Sequence, residues 1–290
     1  MTQANVARPI PPIYYVLIAV FLWSTGGMLI KLTTLDAFQV TFFRSLLAAV
    51  TVLILTHRQG LRINTVGVIS SIFYAGLLFL FVFATKKTTA ANAIFLQYTA
   101  PVYILILSPF VIGEKFQIRD LVTVVLCIAG MSLFFVGKLE ISDYEGNLAA
   151  LLSGVCLGMY IMLLRHPRAE GFNPAIAVIY GNFILAALML PAGMSAIPVM
   201  TLSDLLAVAF LGIVQIGIAY VLFVKGVALG TRPLDASLIG FIEPLLNPVW
   251  VFLFIGERPS AWAIFGGTII IIAVAFHTIR QYAGRRLFEN

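Results

Sequence analysis

Two side chains of opposite charge interrupt long apolar runs of this sequence and are the residues best suited to chemistry. Arg44 lies about two turns into one run, and Glu243 lies near the middle of another. A charged group at bilayer depth costs about 2.5–3.5 kcal/mol on insertion scales, so each is expected to face a cavity or a partner. The planar guanidinium of Arg44 matches a solute carboxylate in geometry, and the alternative is a structural pair with Glu243 or with backbone carbonyls.

Glu243 also has two interpretations. It could take up and release a proton as part of a coupled process, or it could brace the backbone beside Pro244 through hydrogen bonds. The matching position in the first half of the chain is Ala100, so the chain offers no second carboxylate at this depth there. The brace is therefore the favoured interpretation.

Aromatic and amide side chains at mid-helix depth extend the candidate site. Amides satisfy the polar part of a solute and aromatic faces take its apolar or cationic part, although anchoring and helix packing explain any single residue equally well. These candidates are Trp23, Tyr74, Gln97, Tyr98, Gln215, Tyr220 and Asn247. Pro101 and Pro244 each remove a helical hydrogen bond and are candidate hinges.

The composition identifies the elements that must position these residues. The chain has 290 residues, of which 61% are hydrophobic and 10% charged, whereas soluble proteins average about 45–50% and about 25%. The mean hydropathy is +1.04. A soluble domain of this length could not bury so much apolar side chain, so lipid is the expected solvent.

Ten apolar runs of about 18–25 residues can each cross a hydrocarbon core of about 30 Å as a helix. They cover residues 13–30, 37–55, 66–85, 90–112, 118–136, 147–164, 174–194, 202–224, 233–255 and 261–279. The predicted fold class is therefore an all-α integral membrane protein with ten transmembrane helices. Short tails, 1–12 and 283–290, lie outside them.

The distribution of basic residues predicts the orientation. The loops on the side of the N-terminus carry Arg8, Arg58, Arg62, Lys115, Arg119, Arg165, Arg168, Lys225, Arg232, Arg280, Arg285 and Arg286. The opposite loops carry only Lys31, Lys86, Lys87, Lys138 and Arg258. Both termini are therefore predicted to be cytoplasmic.

The two halves of the chain share a spacing pattern. Pro101 precedes Gly113-Glu114 by the same twelve residues that separate Pro244 from Gly256-Glu257. Because five helices, an odd number, separate the copies, the second copy enters the membrane from the opposite side. This pattern predicts two inverted-topology repeats, 13–137 and 146–282, which is an arrangement typical of transporters.

The same residues resemble the drug/metabolite transporter superfamily, and specifically its ten-helix EamA-type members. The resemblance covers nearly the whole chain. It depends on the two repeated Pro and Gly-Glu patterns, on Glu243 before Pro244, and on three further motifs. These motifs are Leu22-Trp23-Ser24, Phe43-Arg44-Ser45 and Gly266-Gly267-Thr268-Ile269-Ile270.

The resemblance implies alternating access around a central cavity lined by predicted helices one, three, four, six, eight and nine. It further implies a metabolite carrier of the bacterial inner membrane, with outward export of aromatic or hydrophobic amino acids by facilitated diffusion as the leading expectation. A proton-coupled carrier of a nucleoside, S-adenosylmethionine or a drug-like compound is the alternative. A channel is disfavoured because the buried charges are unlike and the repeat is internal.

No cofactor, metal site or enzymatic activity is expected. Cys127 and Cys156 lie inside apolar runs, and His57, His166 and His277 lie near predicted helix ends without a carboxylate constellation or metal-ligand spacing. The basic residues do not cluster, so nucleic acid is not an expected partner. The expected partners are a small solute and the lipid bilayer, and the expected state is a monomer.

Overall fold

The structure is a computed structural model that describes residues 10–88, 90–134, 136, 143–255 and 260–288. Within these residues the chain is helical and no strand is present. The α-helices are α1 Pro12–Trp23, α2 Gly26–Leu32, α3 Ala37–Thr56, α4 Thr65–Lys87, α5 Ala90–Gln97, α6 Ala100–Val111, α7 Ile118–Phe134, α8 Tyr144–Leu163, α9 Ile176–Leu188, α10 Leu190–Ala196, α11 Leu202–Phe210, α12 Ala219–Ala228, α13 Pro233–Gly240, α14 Ile242–Ile255 and α15 Ala261–Phe288. A π-helical segment, Leu211–Ile218, joins α11 to α12.

Seven helical segments of the described chain are long and apolar enough to cross a bilayer, and the pair α9–α10, bent by 65°, raises the number to eight. The predicted fifth span corresponds to α7, which has 17 described residues, and the predicted ninth is divided between α13 and α14. The all-helical membrane fold is thus confirmed. The count of ten spans, the inverted repeats and the orientation of the termini stay predictions.

The outer surface of the bundle is apolar, as a lipid-facing surface requires. Phe110 is 82% exposed, and Ile54, Leu253 and Ile272 are each more than half exposed. In water such a surface would expose far more large hydrophobic side chain than soluble proteins tolerate. The chain is therefore a multi-pass membrane protein.

Three of the predicted spans are interrupted by helix breaks. The first predicted span breaks at residues 24–25, the fourth at residues 98–99 and the ninth at Phe241. Pro101 is the second residue of α6 and Pro244 the third of α14, so each follows its break directly. Because proline supplies no backbone N–H and clashes with the preceding turn, a helix interrupted just before it costs little.

Glycines of α8 bring that helix close to one of these breaks. A Cβ atom added at Gly154 would lie 2.7 Å from the carbonyl oxygen of Gln97, and one added at Gly158 would lie 3.3 Å from that of Ala100. Only a residue without a side chain lets the two backbones approach so closely. Helix α8 therefore supports the α5–α6 break directly.

A buried ionic cluster joins α7 to α13 and α15. Arg232 Nη2 contacts Asp120 Oδ2 at 3.0 Å, Arg232 Nε contacts Glu114 Oε2 at 3.5 Å, and His277 Nε2 contacts Asp235 Oδ1 at 2.9 Å. Burial alone would lower the pKa of Arg232, but the neighbouring carboxylates of Asp235, Asp120 and Glu114 outweigh it and raise that pKa above its usual value.

This cluster corrects one prediction. His277 was expected to lie apart from carboxylates, and this expectation is wrong, because Asp120 and Asp235 come from helices that are distant along the sequence. Sequence spacing alone does not reveal such neighbours. Among the described residues, no group of three or more His, Cys, Asp or Glu side chains is arranged to hold a metal ion.

Candidate functional site

The helix breaks meet around a central cavity of about 40 Å³. Its polar and aromatic lining consists of Trp23, Arg44, Gln97, Tyr98, Gln215, Tyr220 and Glu243. Its remaining wall is apolar and is formed by Leu77, Leu78, Phe81, Leu157 and Ile216. Of the nine candidate binding residues that the sequence suggested, the structure thus brings seven together around one space.

Arg44 enters the cavity from α3. The start of this helix is fixed by Asp36, whose side chain accepts hydrogen bonds from the backbone N–H groups of Phe38 and Gln39. Arg44 is only 2% exposed, and its Nη1 atom has no hydrogen-bond partner among the described residues. Arg44 and Glu243 line the same cavity, but they form no ion pair with each other.

Glu243 enters the cavity from the first turn of α14, just after the break at Phe241. Its Oε2 atom accepts a hydrogen bond of 2.7 Å from the hydroxyl of Tyr98. Tyr98 itself lies in the α5–α6 break, and its ring packs 5.2 Å from that of Phe241. This hydrogen bond therefore joins two helix breaks that the sequence pattern paired. A position in the first helical turn also favours a negative charge.

Gln215 lies within the π-helical segment, which widens the helix next to the cavity. π-Helical turns are rare and are frequent at functional sites. Gln215 Nε2 donates a weak hydrogen bond of 3.5 Å to the carbonyl oxygen of Trp23. In the described structure, the Oε1 atom of Gln215 and the indole Nε1 of Trp23 are buried without a hydrogen-bond partner.

Gln97 is held in place by the neighbouring helices. Its Nε2 atom donates to Ser153 Oγ at 2.7 Å, and that hydroxyl donates to the carbonyl oxygen of Leu77 at 3.1 Å. This chain connects α5, α8 and α4. Ser153 was not among the predicted residues, and nothing in its sequence surroundings distinguishes it from an ordinary small packing residue.

Tyr74 lies outside the central cavity and packs behind it. Its ring centroid is 4.9 Å from that of Tyr220 and 5.0 Å from that of Tyr160, and its hydroxyl accepts a hydrogen bond of 3.1 Å from Asn182. The sequence suggested Tyr74 as a binding residue that lines the cavity, whereas the structure places it outside the lining and in contact with Tyr220, which belongs to that lining. Tyr160 was missed, although a tyrosine in the middle of an apolar run is the same signal that selected Tyr74.

The side chain of Asn247 lies outside the residues that the structure describes. The candidate hinges Pro101 and Pro244 are both described, and neither lines the central cavity. They follow the residues that do, Tyr98 and Glu243, along the chain. Their placement fits a role in the backbone rather than in contact with a solute.

The central cavity is therefore lined by an arginine and a glutamate that do not pair, and by three buried polar atoms that lack partners. Such atoms are costly in an apolar interior unless water or a ligand satisfies them. A water occupies about 10–15 Å³ of such a volume, so 40 Å³ holds about three waters. A metabolite needs a larger space, so binding requires this site to open.

Comparison with known proteins shows what the chain is similar to. The profile of the EamA-like transporter family matches residues 10–136 and 145–279. An uncharacterized transporter of Archaeoglobus fulgidus is 24% identical over 257 residues, which are 89% of each chain. The pseudopaline exporter CntI of Pseudomonas aeruginosa is 24% identical over 276 residues, which are 88% of this chain and 92% of the exporter.

A crystal structure with 21% sequence identity superposes with a TM-score of 0.76, covering 95% of this chain and 98% of that chain. At this identity the likeness concerns the fold alone. The family match, in contrast, covers most of the chain and agrees with the resemblance that the sequence motifs indicated. The chain therefore belongs to the EamA-like transporter family of the drug/metabolite transporter superfamily and is a membrane transporter.

Proposed function

We propose that this transporter exports amino acids, above all aromatic and hydrophobic ones, across the bacterial inner membrane by facilitated diffusion. The observation that carries the proposal is the central cavity, where Arg44 and Glu243 face one space without forming an ion pair. The proposal concerns the class of substrate, the direction of transport and the absence of coupling to a proton gradient.

A zwitterion satisfies both charges at once. The guanidinium of Arg44 has hydrogen-bond donors free to hold an α-carboxylate in bidentate geometry. Glu243 keeps one carboxylate oxygen clear of the Tyr98 bond, which supports a contact with an α-ammonium group. An uncharged solute would leave the cost of both buried charges in place.

The aromatic wall supports an apolar or aromatic side chain on the substrate. Trp23 and Tyr220 line the cavity with their ring centroids 4.7 Å apart, and Trp23 also packs 4.8 Å from the ring of Phe223. Offset aromatic contacts are worth about 0.5–1.5 kcal/mol beyond simple burial. Phenylalanine and tryptophan are therefore the first substrates to test.

Alternating access follows from the size of the cavity. A space of about 40 Å³ cannot hold an amino acid, so one side of the bundle must open around it. Helix breaks beside Pro101 and Pro244 supply hinges, and inverted repeats 13–137 and 146–282 with cytoplasmic termini would supply the two moving bodies. The two segments matched by the family profile, 10–136 and 145–279, support this division.

Export and facilitated diffusion rest on separate observations. A relative with 24% identity is an exporter by name, which supports the outward direction. The hydrogen bond from Tyr98 ties Glu243 to a second helix break, which supports a structural and substrate-binding role over proton coupling. The first repeat has Ala100 at the matching place.

The test is uptake and counter-flow of labelled phenylalanine, tryptophan and threonine in proteoliposomes, with and without a pH gradient. We expect saturable flux that is stimulated by counter-flow and does not depend on the pH gradient. The aromatic substrates should be preferred. Glu243→Gln keeps an acceptor for Tyr98 but loses the charge, so its apparent affinity should fall at least tenfold. The exposed Glu145, changed to Gln, is the matched control and should transport normally.

One observation favours a second candidate, which is proton-coupled transport. Glu243 is a buried carboxylate that lines the central cavity, and such groups serve as proton relays in membrane transporters. Accumulation driven by the gradient in the native protein, lost in Glu243→Gln, would establish this alternative. Complete absence of amino-acid flux would instead direct the search to nucleosides and S-adenosylmethionine.

A further inference from the structure

A second cavity, here called the vestibule, lies between one end of α4, the end of α8 and the start of α9. Its volume is about 410 Å³, and its wall includes Ser70, Leu163 and Ala177. Its rim is a loop with Arg165 and Glu170, on the side that the basic residues predict to be cytoplasmic. Small-molecule sites have volumes of about 300–1,000 Å³, so the vestibule, unlike the central cavity, can hold a solute as it stands.

The inner wall of the vestibule includes a buried polar residue. Ser70 lines the vestibule but is only 3% exposed, and its hydroxyl makes no hydrogen bond within the described residues. A buried hydroxyl without a protein partner is costly, so a movement of this wall that lets water or a solute reach it would lower that cost.

Two tyrosines lie between the vestibule and the central cavity along their helices. On α4, Ser70 lines the vestibule, Leu77 and Leu78 line the central cavity, and Tyr74 lies between them. On α8 the order is reversed: Leu157 lines the central cavity and Leu163 lines the vestibule, with Tyr160 between them. At 1.5 Å per residue, these tyrosines occupy a layer within about 6 Å of either cavity.

The rings of this layer are in mutual contact. Tyr74, Tyr160 and Tyr220 form a triangle with centroid distances of 5.0, 4.9 and 6.1 Å. Tyr74 and Tyr160 are fully buried, and Tyr220 forms part of the central cavity wall. The layer is fastened unevenly, because Asn182 holds the hydroxyl of Tyr74 while the hydroxyl of Tyr160 has no partner in the described structure.

We propose that the vestibule is a docking site for the transported solute, and that Tyr74, Tyr160 and Tyr220 form the barrier that separates it from the central cavity. The docking role rests on the proposed function, with an amino acid as solute, whereas the barrier does not depend on it. A solute in the vestibule reaches Arg44 and Glu243 when this layer parts. Asn182 holds only Tyr74, and no hydrogen bond holds Tyr160 or Tyr220 in the described structure, so these two are the members freest to move.

Cysteine accessibility in the full-length protein tests the barrier. In a background with Cys127→Ala and Cys156→Ala, one reporter cysteine replaces Ala169, a half-buried residue of the vestibule wall, and another replaces the buried Leu157 in the central cavity. A small, membrane-impermeant cationic thiol reagent is applied from each face of the membrane in turn. We expect Ala169→Cys to react at least tenfold faster than Leu157→Cys, and only from the face predicted to be cytoplasmic.

Removing the barrier should abolish the difference. Tyr160→Ala, or the milder Tyr160→Leu if alanine prevents folding, should raise the reaction rate of Leu157→Cys at least tenfold without changing that of Ala169→Cys. Tyr144→Ala, at an exposed tyrosine, is the control and should change neither rate. Equal reactivity of the two reporters with all three tyrosines present, or no effect of either Tyr160 variant in folded protein, would overturn the barrier.

Protection by phenylalanine tests docking. Saturating phenylalanine should slow the modification of Ala169→Cys severalfold. If phenylalanine is transported but does not protect this cysteine, the docking role is wrong. If phenylalanine is not transported at all, the substrate assignment fails with it, while the ratio of the two reporter rates still decides the barrier.

Discussion

Replacing Arg44 by methionine separates a substrate-binding role from a structural one. Arg44 is buried, and its guanidinium makes no hydrogen bond or ion pair with the described residues. A structural arginine would stabilise the folded protein through such contacts. An arginine kept for a ligand costs free energy in the empty protein, so its removal should stabilise the fold while it abolishes binding.

The expected change in the free energy of unfolding follows from the lack of hydrogen bonds and ion pairs at Arg44. A charged side chain at the centre of a bilayer costs about 2.5–3.5 kcal/mol, and waters in the cavity offset part of that cost. Methionine keeps an unbranched, flexible stem, so lost packing is small. We therefore expect Arg44→Met to raise the free energy of unfolding by about 2 kcal/mol. At about 2–4 °C per kcal/mol, the Tm should rise by about 4–8 °C.

Binding should change in the opposite direction. A hydrogen bond to a charged group is worth about 1.5–3 kcal/mol, so losing the contact with the substrate carboxylate should weaken binding about 10- to 150-fold. Thermal unfolding of the detergent-solubilised protein and counter-flow of phenylalanine in proteoliposomes measure the two effects. Arg58→Met, at an exposed arginine, is the control and should change neither. A Tm that falls in Arg44→Met and recovers in Arg44→Lys would refute the reasoning and make Arg44 a structural brace.

Three further predictions concern the contacts that position the site. Gly154→Ala should lower the free energy of unfolding by about 1–3 kcal/mol, because its Cβ would lie 2.7 Å from a backbone carbonyl oxygen. The control is Gly27→Ala, whose added Cβ would have its nearest contact at 3.8 Å and should leave the Tm unchanged. Equal Tm values for the two variants would contradict this prediction. Asp204→Asn should lower the free energy of unfolding by about 1–3 kcal/mol, because the carboxylate accepts hydrogen bonds from both the backbone N–H and the hydroxyl of Thr34. Thermal unfolding measures this change, and an unchanged Tm would show that water replaces these bonds. Asp120→Asn removes a charge from the buried cluster that joins α7 to α13, so it should lower the Tm by several degrees. The Km for phenylalanine should stay unchanged. A raised Km would show that the cluster also affects substrate binding.

Several properties of the site could be predicted from the sequence because they depend on local chemistry. A charge in an apolar run must face a cavity or a partner whatever the fold, and this rule alone selected Arg44 and Glu243. A proline removes one hydrogen bond from a membrane helix, and this rule selected Pro101 and Pro244 as candidate hinges, each of which follows a helix break in the structure. The family motifs joined these residues into one predicted site, and the profile match confirms the family.

Other features could not be predicted because they depend on which helices become neighbours. Tyr98 and Glu243 are 145 residues apart in sequence, and their hydrogen bond exists only because two helix breaks meet. The carboxylates around His277 come from α7 and α13, so spacing gave no sign of them. The barrier of Tyr74, Tyr160 and Tyr220 likewise depends on the facing surfaces of three helices.

The sequence by itself thus determined that this protein lies in a lipid bilayer, that it is helical and which family it belongs to. It also identified the residues that could not face lipid. These follow from hydropathy and from the cost of burying a charge, which are properties of each residue and its near neighbours along the chain. The tertiary structure decided which of those residues share a cavity, that Arg44 and Glu243 do not pair, and that a tyrosine layer separates two cavities. Contacts between distant segments arise from packing of whole helix faces, and a linear pattern does not encode which faces meet.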